Sequence, residues 1–333
     1  MTERLLRRLQ LFRYAALAIL VIAGGLAHGE SRAYAVSPQP VTAWSFYVRT
    51  SNVATIGTLG CNQGHADAAS RQNSEVILDF GVQWSDNSKT LTKNGIYLSI
   101  ATVEQMAESF VDNYYTCTGA DTTTIVKLGI GTNNSTGYES SSMGSGWAQV
   151  AVDVKNWLAA NCCSSQYNVV GANDIEAAAA FSGSGSQPRA INWGNGFNSH
   201  GGAVYVNYGS ADGCPPYTTP PNCVNGWTQD GVWIVSWGIP AAYALPEIYY
   251  LKPLGPGDTK GGQPAQWAQI SLWGKNQHSG SMIIFEGPLD EHDLDGNTLD
   301  SPAAWTDFWN ALSAAGVTTT MYYSAQIHDS ATN

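Results

Sequence analysis

The feature that most restricts this chain is a repeated alternation. Short runs that are apolar on both faces are separated by connections long enough to hold helices. The runs are "TAWSFYV" (42–48), "EVILDFGVQ" (75–83), "TIVKLGIGT" (124–132), "NVVGAND" (168–174), "AVYVNYG" (203–209), "VWIVSWG" (232–238), "PEIYY" (246–250) and "SMIIFEG" (281–287). Strands buried on both faces and joined by helix-length crossovers make a parallel sheet. Helical spacing appears at 100–116 and 146–162, and again at 264–275 and 302–316. Eight strands in one chain of this size predict an α/β fold, a (β/α)8 TIM-type barrel. Its second half is expected to be irregular. Residues 182–202 and 210–230 are rich in Gly, Ser, Asn and Pro rather than helical, and the link from Gly238 to Pro246 is too short for a helix. The alternative is a doubly wound open sheet, but no G-x-G-x-x-G turn follows an early strand. Residues 318–327 are expected to add an extra strand after the last helix.

Residues 1–35 read as a leader. Arg4, Arg7, Arg8 and Arg13 precede an apolar run at 15–27 and an A-Y-A site at 33–35, the pattern of a secretory signal peptide. The expectation is a single barrel domain over 36–333, secreted and free of the membrane after cleavage. The full chain has a formal net charge of −11, and the leader holds five basic and two acidic residues, so the remainder stands at −14. A surface of that sign repels nucleic acid and anionic lipid. The expected partner is a neutral carbohydrate, met by a monomer without a nucleotide cofactor or metal.

All six cysteines fall after the leader, which fits disulfides in an oxidising compartment. Cys214 and Cys223 flank a turn-rich "PPYTTPPN" and are expected to clip it. Cys117 is expected to meet Cys162 or Cys163, since both end predicted helices. The acidic stretch 290–300 has calcium-loop features at Asp293, Asp295, Gly296 and Asp300. Its register fails, however, and a solvated loop is expected.

A barrel carries its chemistry at the C-terminal ends of its strands. Polar residues recur there: Asp79 on the second run; Asn173, Asp174 and Glu176 at the end of the fourth; Asn207 and Tyr208 on the fifth; Trp237 on the sixth; Glu247 on the seventh; Glu286 on the eighth. Asp174 and Glu176 are the sharpest pair. Two residues apart on a strand, they share a side. Close carboxylates push their pKa values apart, leaving a proton donor beside a base, as glycoside hydrolysis requires. They could equally open a helix over "IEAAAAF", with Asp174 as its cap.

The D-x-E at 174–176 resembles barrel glycosidases of the chitinase and muramidase kind, which end their fourth strand this way. Ala172 stands where chitinases carry a further Asp. The resemblance implies Glu176 as general acid and Asp174 as its partner, with Glu286 or Asp79 as a further carboxylate. Asn173, Asn207, Tyr208, Trp237 and Glu247 would then line the sugar site. The combination "DFGVQ", "GIGTNNS", "GANDIE" and "NYGSADGCP" is also similar to a group of exported bacterial proteins. The competing expectation is a barrel that binds glycan, or another surface partner, without catalysis.

Overall fold

The computed structural model describes residues 39–133, 140–163, 165–177, 186–251, 262–291 and 299–330. The expected leader, most of the acidic stretch 290–300 and part of "IEAAAAF" lie outside these. No helix among the described residues is long and apolar enough to cross a membrane.

Eight parallel strands close on themselves. In chain order the elements are β1 (Thr42–Tyr47), α1 (Val53–Ser70), β2 (Ser74–Gln83), β3 (Lys89–Leu91), β4 (Tyr97–Ser99), α2 (Ile100–Cys117), β5 (Val126–Asn133), α3 (Ser141–Asn161), β6 (Tyr167–Asp174), α4 (Ser186–His200), β7 (Tyr205–Asn207), α5 (Gln229–Trp233), β8 (Ala242–Ala244), α6 (Gln263–Gln277), β9 (Leu289–Glu291), α7 (Ser301–Ala314) and β10 (Ser324–Asp329). The parallel ladder runs β8-β7-β6-β5-β2-β1-β10-β9. Two parallel bridges, Ala244 with Phe285 and Glu247 with Leu289, join its ends. The result is a (β/α)8 barrel in which β3 and β4 form an antiparallel hairpin on the end of β2.

Side-chain alternation divides the core in two. Ile77, Val170, Ala172, Val206, Leu245, Leu289 and Ile327 fill the barrel. Their neighbours Val76, Leu78, Leu128 and Val169 face outward, in a larger core shared with Phe110, Trp147 and Trp193 of the helices.

Four sequence expectations change. The Gly/Ser/Asn-rich stretch 182–202 contains a true helix, α4. "VWIVSWG" is not a strand. It begins inside α5, whose first turn Thr228 caps by accepting from Gly231 N at 3.1 Å, and ends as a π turn at Ile234–Gly238. A short buried apolar run suits either state. The barrel strand is β8, a few residues later, which removes the short-link difficulty. "PEIYY" and "SMIIFEG" contribute bridges, and the seventh barrel strand is β9. The "extra" strand at 318–327 is in fact the eighth, β10, paired in register with β1 from Thr42–Ser324 to Tyr47–Asp329. The second half is irregular as expected, with strands of three residues at β7, β8 and β9.

The Cys214–Cys223 clip is present. Cys117 pairs instead with Cys61, their Cα atoms 5.0 Å apart, and Cys162 pairs with Cys163. Cys61 sits on α1, a helix without an apolar stripe that packs lengthwise on α2. A Cβ at Gly60 would collide with the Phe110 carbonyl, so the glycine is what lets the two backbones approach.

Candidate active site

Three carboxylates meet at the C-terminal mouth of the barrel. Asp174 ends β6, Glu176 lies two residues on, and Glu247 follows β8 at its bridge to β9. One oxygen from each lies within 4.8 Å of the other two. Asp174 and Glu247 are buried, while Glu176 is partly exposed. Each is held by a neutral donor. Asn133 Nδ2 donates to Asp174 Oδ2 at 2.7 Å, Ser210 Oγ to Glu176 Oε1 at 2.5 Å, and Tyr249 OH to Glu247 Oε1 at 2.9 Å. Asp174 Oδ1 is buried and meets no hydrogen-bond donor among the described residues. Tyr47 OH lies 3.3 Å from Tyr249 OH, which extends the network to β1.

Burial, and then the charge of Glu176 and of Asp79, push the Asp174 carboxyl well above the usual carboxylate range. Burial does the same to Glu247, helped by Asp174, Glu176 and Glu291. Three adjacent anions away from water are costly, so the arrangement favours protonated over fully ionised carboxyls. Its spacing is also one that a hard divalent cation bound by oxygen could bridge.

Asp79 stands beside the cluster. The β2 chain bulges between Asp79 and Val82, and Gly81 takes a φ of +80°, where a Cβ would strike the Leu91 carbonyl. The bulge turns Gly81 N back onto Asp79 Oδ1 at 2.6 Å. Asp79 shares a cavity of about 380 Å³ with Tyr47, Asn133 and Lys93. Lys93 comes from the β3–β4 hairpin, which forms one wall of this cavity, and its Nζ lies 5.3 Å from the Tyr47 ring. Asp79 is raised by burial and held back by Gly81, Tyr208, Arg49 and Lys93.

Other expected site residues fall elsewhere. Glu286 is not at the mouth. Because β9 starts later than the apolar run suggested, Glu286 precedes the strand and reaches the opposite end of the barrel. There it meets Lys127 Nζ at 2.9 Å, which also meets Glu75 at 3.0 Å. Trp237 belongs to that end too. It donates from Nε1 to Ser281 Oγ at 3.1 Å and packs on Tyr243, whose ring lies 5.5 Å from Lys127. Asn173 is buried, and alternation sends it to the face opposite Asp174. Asn207 is a brace. Its Oδ1 accepts from Ile175 N and Gly209 N, both at 3.1 Å, fixing the loop that carries Glu176. Tyr208, by contrast, stays beside the cluster: fully buried, it donates to the Thr132 carbonyl at 3.1 Å and borders Asp79 and Asp174. Residues 175–177 are not helical, and Asp174 accepts from a side chain rather than capping a helix there.

The site also holds residues the sequence pattern did not single out. Asn133, Ser210 and Tyr249 orient the three carboxylates. Glu291, the last residue of β9, is close enough to raise Tyr47, Glu247 and Tyr249 electrostatically. β9 is only Leu-Asp-Glu, so Glu291 gains a strand-end position only once β9 is placed.

No family model matches the chain, and no curated protein does. Among solved structures it is similar to a sugar phosphate isomerase/epimerase from Parabacteroides distasonis (9% identity, 88% of this chain and 89% of that one, TM-score 0.39). It is also similar to a family 5 glycoside hydrolase from Bacteroides vulgatus (9% identity, TM-score 0.46), covering 86% of this chain and only 57% of that one. A third is a broad-specificity GH5-4 endoglucanase from an uncultured bacterium (8% identity, 91% of each chain, TM-score 0.41). Identities this low leave the chemistry to be read from this chain's own side chains.

Proposed function

We propose that the protein is an exported glycoside hydrolase acting on a neutral polysaccharide or cell-wall glycan. The observation that carries the reading is the meeting of Asp174, Glu176 and Glu247 within 4.8 Å at the barrel mouth. Cleaving a glycosidic bond requires a proton on the leaving oxygen and a negative charge near the ring carbon. Glu176 is the member that reaches open space, so it delivers the proton. Asp174 and Glu247, both pushed up by burial, favour keeping a proton in the cluster. Asp79 supplies the second carboxylate from the adjoining cavity. The three disulfides suit an oxidising compartment, in keeping with a cleaved leader.

The test is reducing-sugar release by residues 36–333 from peptidoglycan, chitin, β-glucan, mannan and xylan. Release that vanishes in Glu176→Gln supports the assignment. Release that persists in that variant removes Glu176 from it.

A second reading, a barrel that binds glycan without cleaving it, is favoured by one observation. Asp79, the nearest further carboxylate in the cavity, is already engaged by Gly81 N at 2.6 Å. Binding without release on every glycan would select it.

A further inference from the structure

β1 has two faces. Its inner face sends Tyr47 to the mouth, while its outer face carries Trp44 and Phe46. On the outside, where β1 pairs with β10, Trp44 is 45% exposed. Its indole stacks on the His328 ring, with centroids 4.5 Å and planes 16° apart. Beside it lies a cavity of about 310 Å³ lined by Trp44, Phe46, Leu59, Asn62, Gln63 and Ala66.

The platform is braced from both strands. Trp44 N donates to Gln63 Oε1 at 3.1 Å, and Gln63 Nε2 donates to Asp67 Oδ1 at 2.7 Å. On β10, His328 Nε2 lies 2.9 Å from Gln326 Oε1, and Gln326 Nε2 donates to the buried Asp290 at 2.9 Å. The bonds fix the Trp44 backbone and the His328 ring, and it is the stack on that ring that orients the exposed indole and limits the rotamer freedom it has to lose on binding.

We propose that this flank is a second carbohydrate site, holding one sugar ring against Trp44 with Asn62 at its rim. The class of ligand rests on the glycan reading of the mouth, but the two sites share no residue. Three features select a sugar over other occupants. Among the described residues the lining carries no charged side chain, although the chain's net charge is −11. The cavity is at the small end of ligand pockets, which run from roughly 300 to 1,000 Å³. A second protein copy would need about 800 Å² of complementary surface per partner. The feature here is one aromatic face with an amide beside it, which matches the C–H face and hydroxyls of a pyranose.

The experiment titrates the Glu176→Gln chain, chosen to suppress cleavage if the assignment of Glu176 holds, with hexasaccharides of cellulose, chitin, xylan and mannan, by calorimetry. Trp44→Ala in the same background is expected to weaken one binding event about tenfold. Trp44→Tyr keeps a stacking face and is expected to restore most of it, with thermal unfolding unchanged in both. Glycan binding that ignores Trp44→Ala overturns the proposal. So does a dimer in sedimentation that Trp44→Ala splits, because a second copy is then the occupant. Trp44-dependent binding by a chain that releases no sugar keeps this site and removes the hydrolase reading.

Discussion

Tyr249 donates its hydroxyl to Glu247 two residues earlier, at 2.9 Å, and the pair sits where the last bridge closes the barrel. The bond favours the ionised form of Glu247 against the burial that opposes it. Tyr249→Phe should therefore raise the Glu247 pKa further. If the cluster must be protonated to act, the alkaline limb of the pH–rate profile moves to higher pH. A profile that keeps its limb while the rate falls at all pH values would show that Tyr249 only positions the carboxylate.

Lys93 offers a similar test from the opposite wall. Its charge lowers both Asp174 and Asp79. Lys93→Met is expected to raise both and to shift the alkaline limb upward. Because Lys93 lines the cavity, KM should rise as well. Michaelis parameters measured from pH 5 to 9 would separate the two effects.

At the other end of the barrel, Lys127 lies between Glu75 and Glu286. Burial would lower its pKa, but the two carboxylates outweigh burial and keep it an ammonium. Lys127→Met leaves the buried Glu75 and the half-buried Glu286 without a cation and should cost about 3–5 kcal/mol. Replacing all three by apolar residues of similar volume should recover much of that loss. Urea unfolding of the single and triple variants measures both.

Glu75 also sets a pH dependence. Burial pushes its carboxyl up to about 8, against a usual value of 4.5. The folded state thus holds this proton more tightly than the unfolded chain, and stability declines as pH rises from about 4.5 to about 8. Asp174 and Glu247 act in the same direction. The protein is expected to be more resistant to urea at pH 5 than at pH 8. Glu75→Gln should flatten that slope.

The barrel was legible because its early strands are long and apolar on both faces. β2 and β6 fall within a residue of where the runs at 75–83 and 168–174 put them. The later strands were not, since three residues such as Ala242–Ala244 carry no pattern. Once β8 and β9 were misplaced, Glu286 was assigned to the wrong end of the barrel. α1 was hidden for another reason. It meets α2 through Gly57, Gly60 and Gly64 rather than through an apolar stripe, so the periodic signal for a helix is absent. Asp174 and Glu176 were found because their spacing is local. Glu247 was expected to bind substrate, and its place among them depends on barrel closure. The glycine contact yields its own prediction. Gly60→Ala forces α1 away from the Phe110 carbonyl and should cost about 1–3 kcal/mol, as overpacking does, despite alanine's better helix propensity.

What balances the charge of the mouth cluster can be decided by removing metal. Three carboxylates this close need either shared protons or a cation. Protons are favoured because each carboxylate already accepts from a neutral donor, Asn133, Ser210 or Tyr249. Burial also raises Asp174 and Glu247, which favours their protonated forms. Treatment with EDTA is then expected to leave both activity and melting temperature unchanged, and calcium, magnesium or manganese should not raise the melting temperature. A cation that binds only the folded state would stabilise it by mass action, by about 2.7 kcal/mol at a hundredfold excess over Kd. A rise of that kind that disappears in Asp174→Asn would assign the cluster to a metal ion, and Glu176 could no longer serve as a free proton donor.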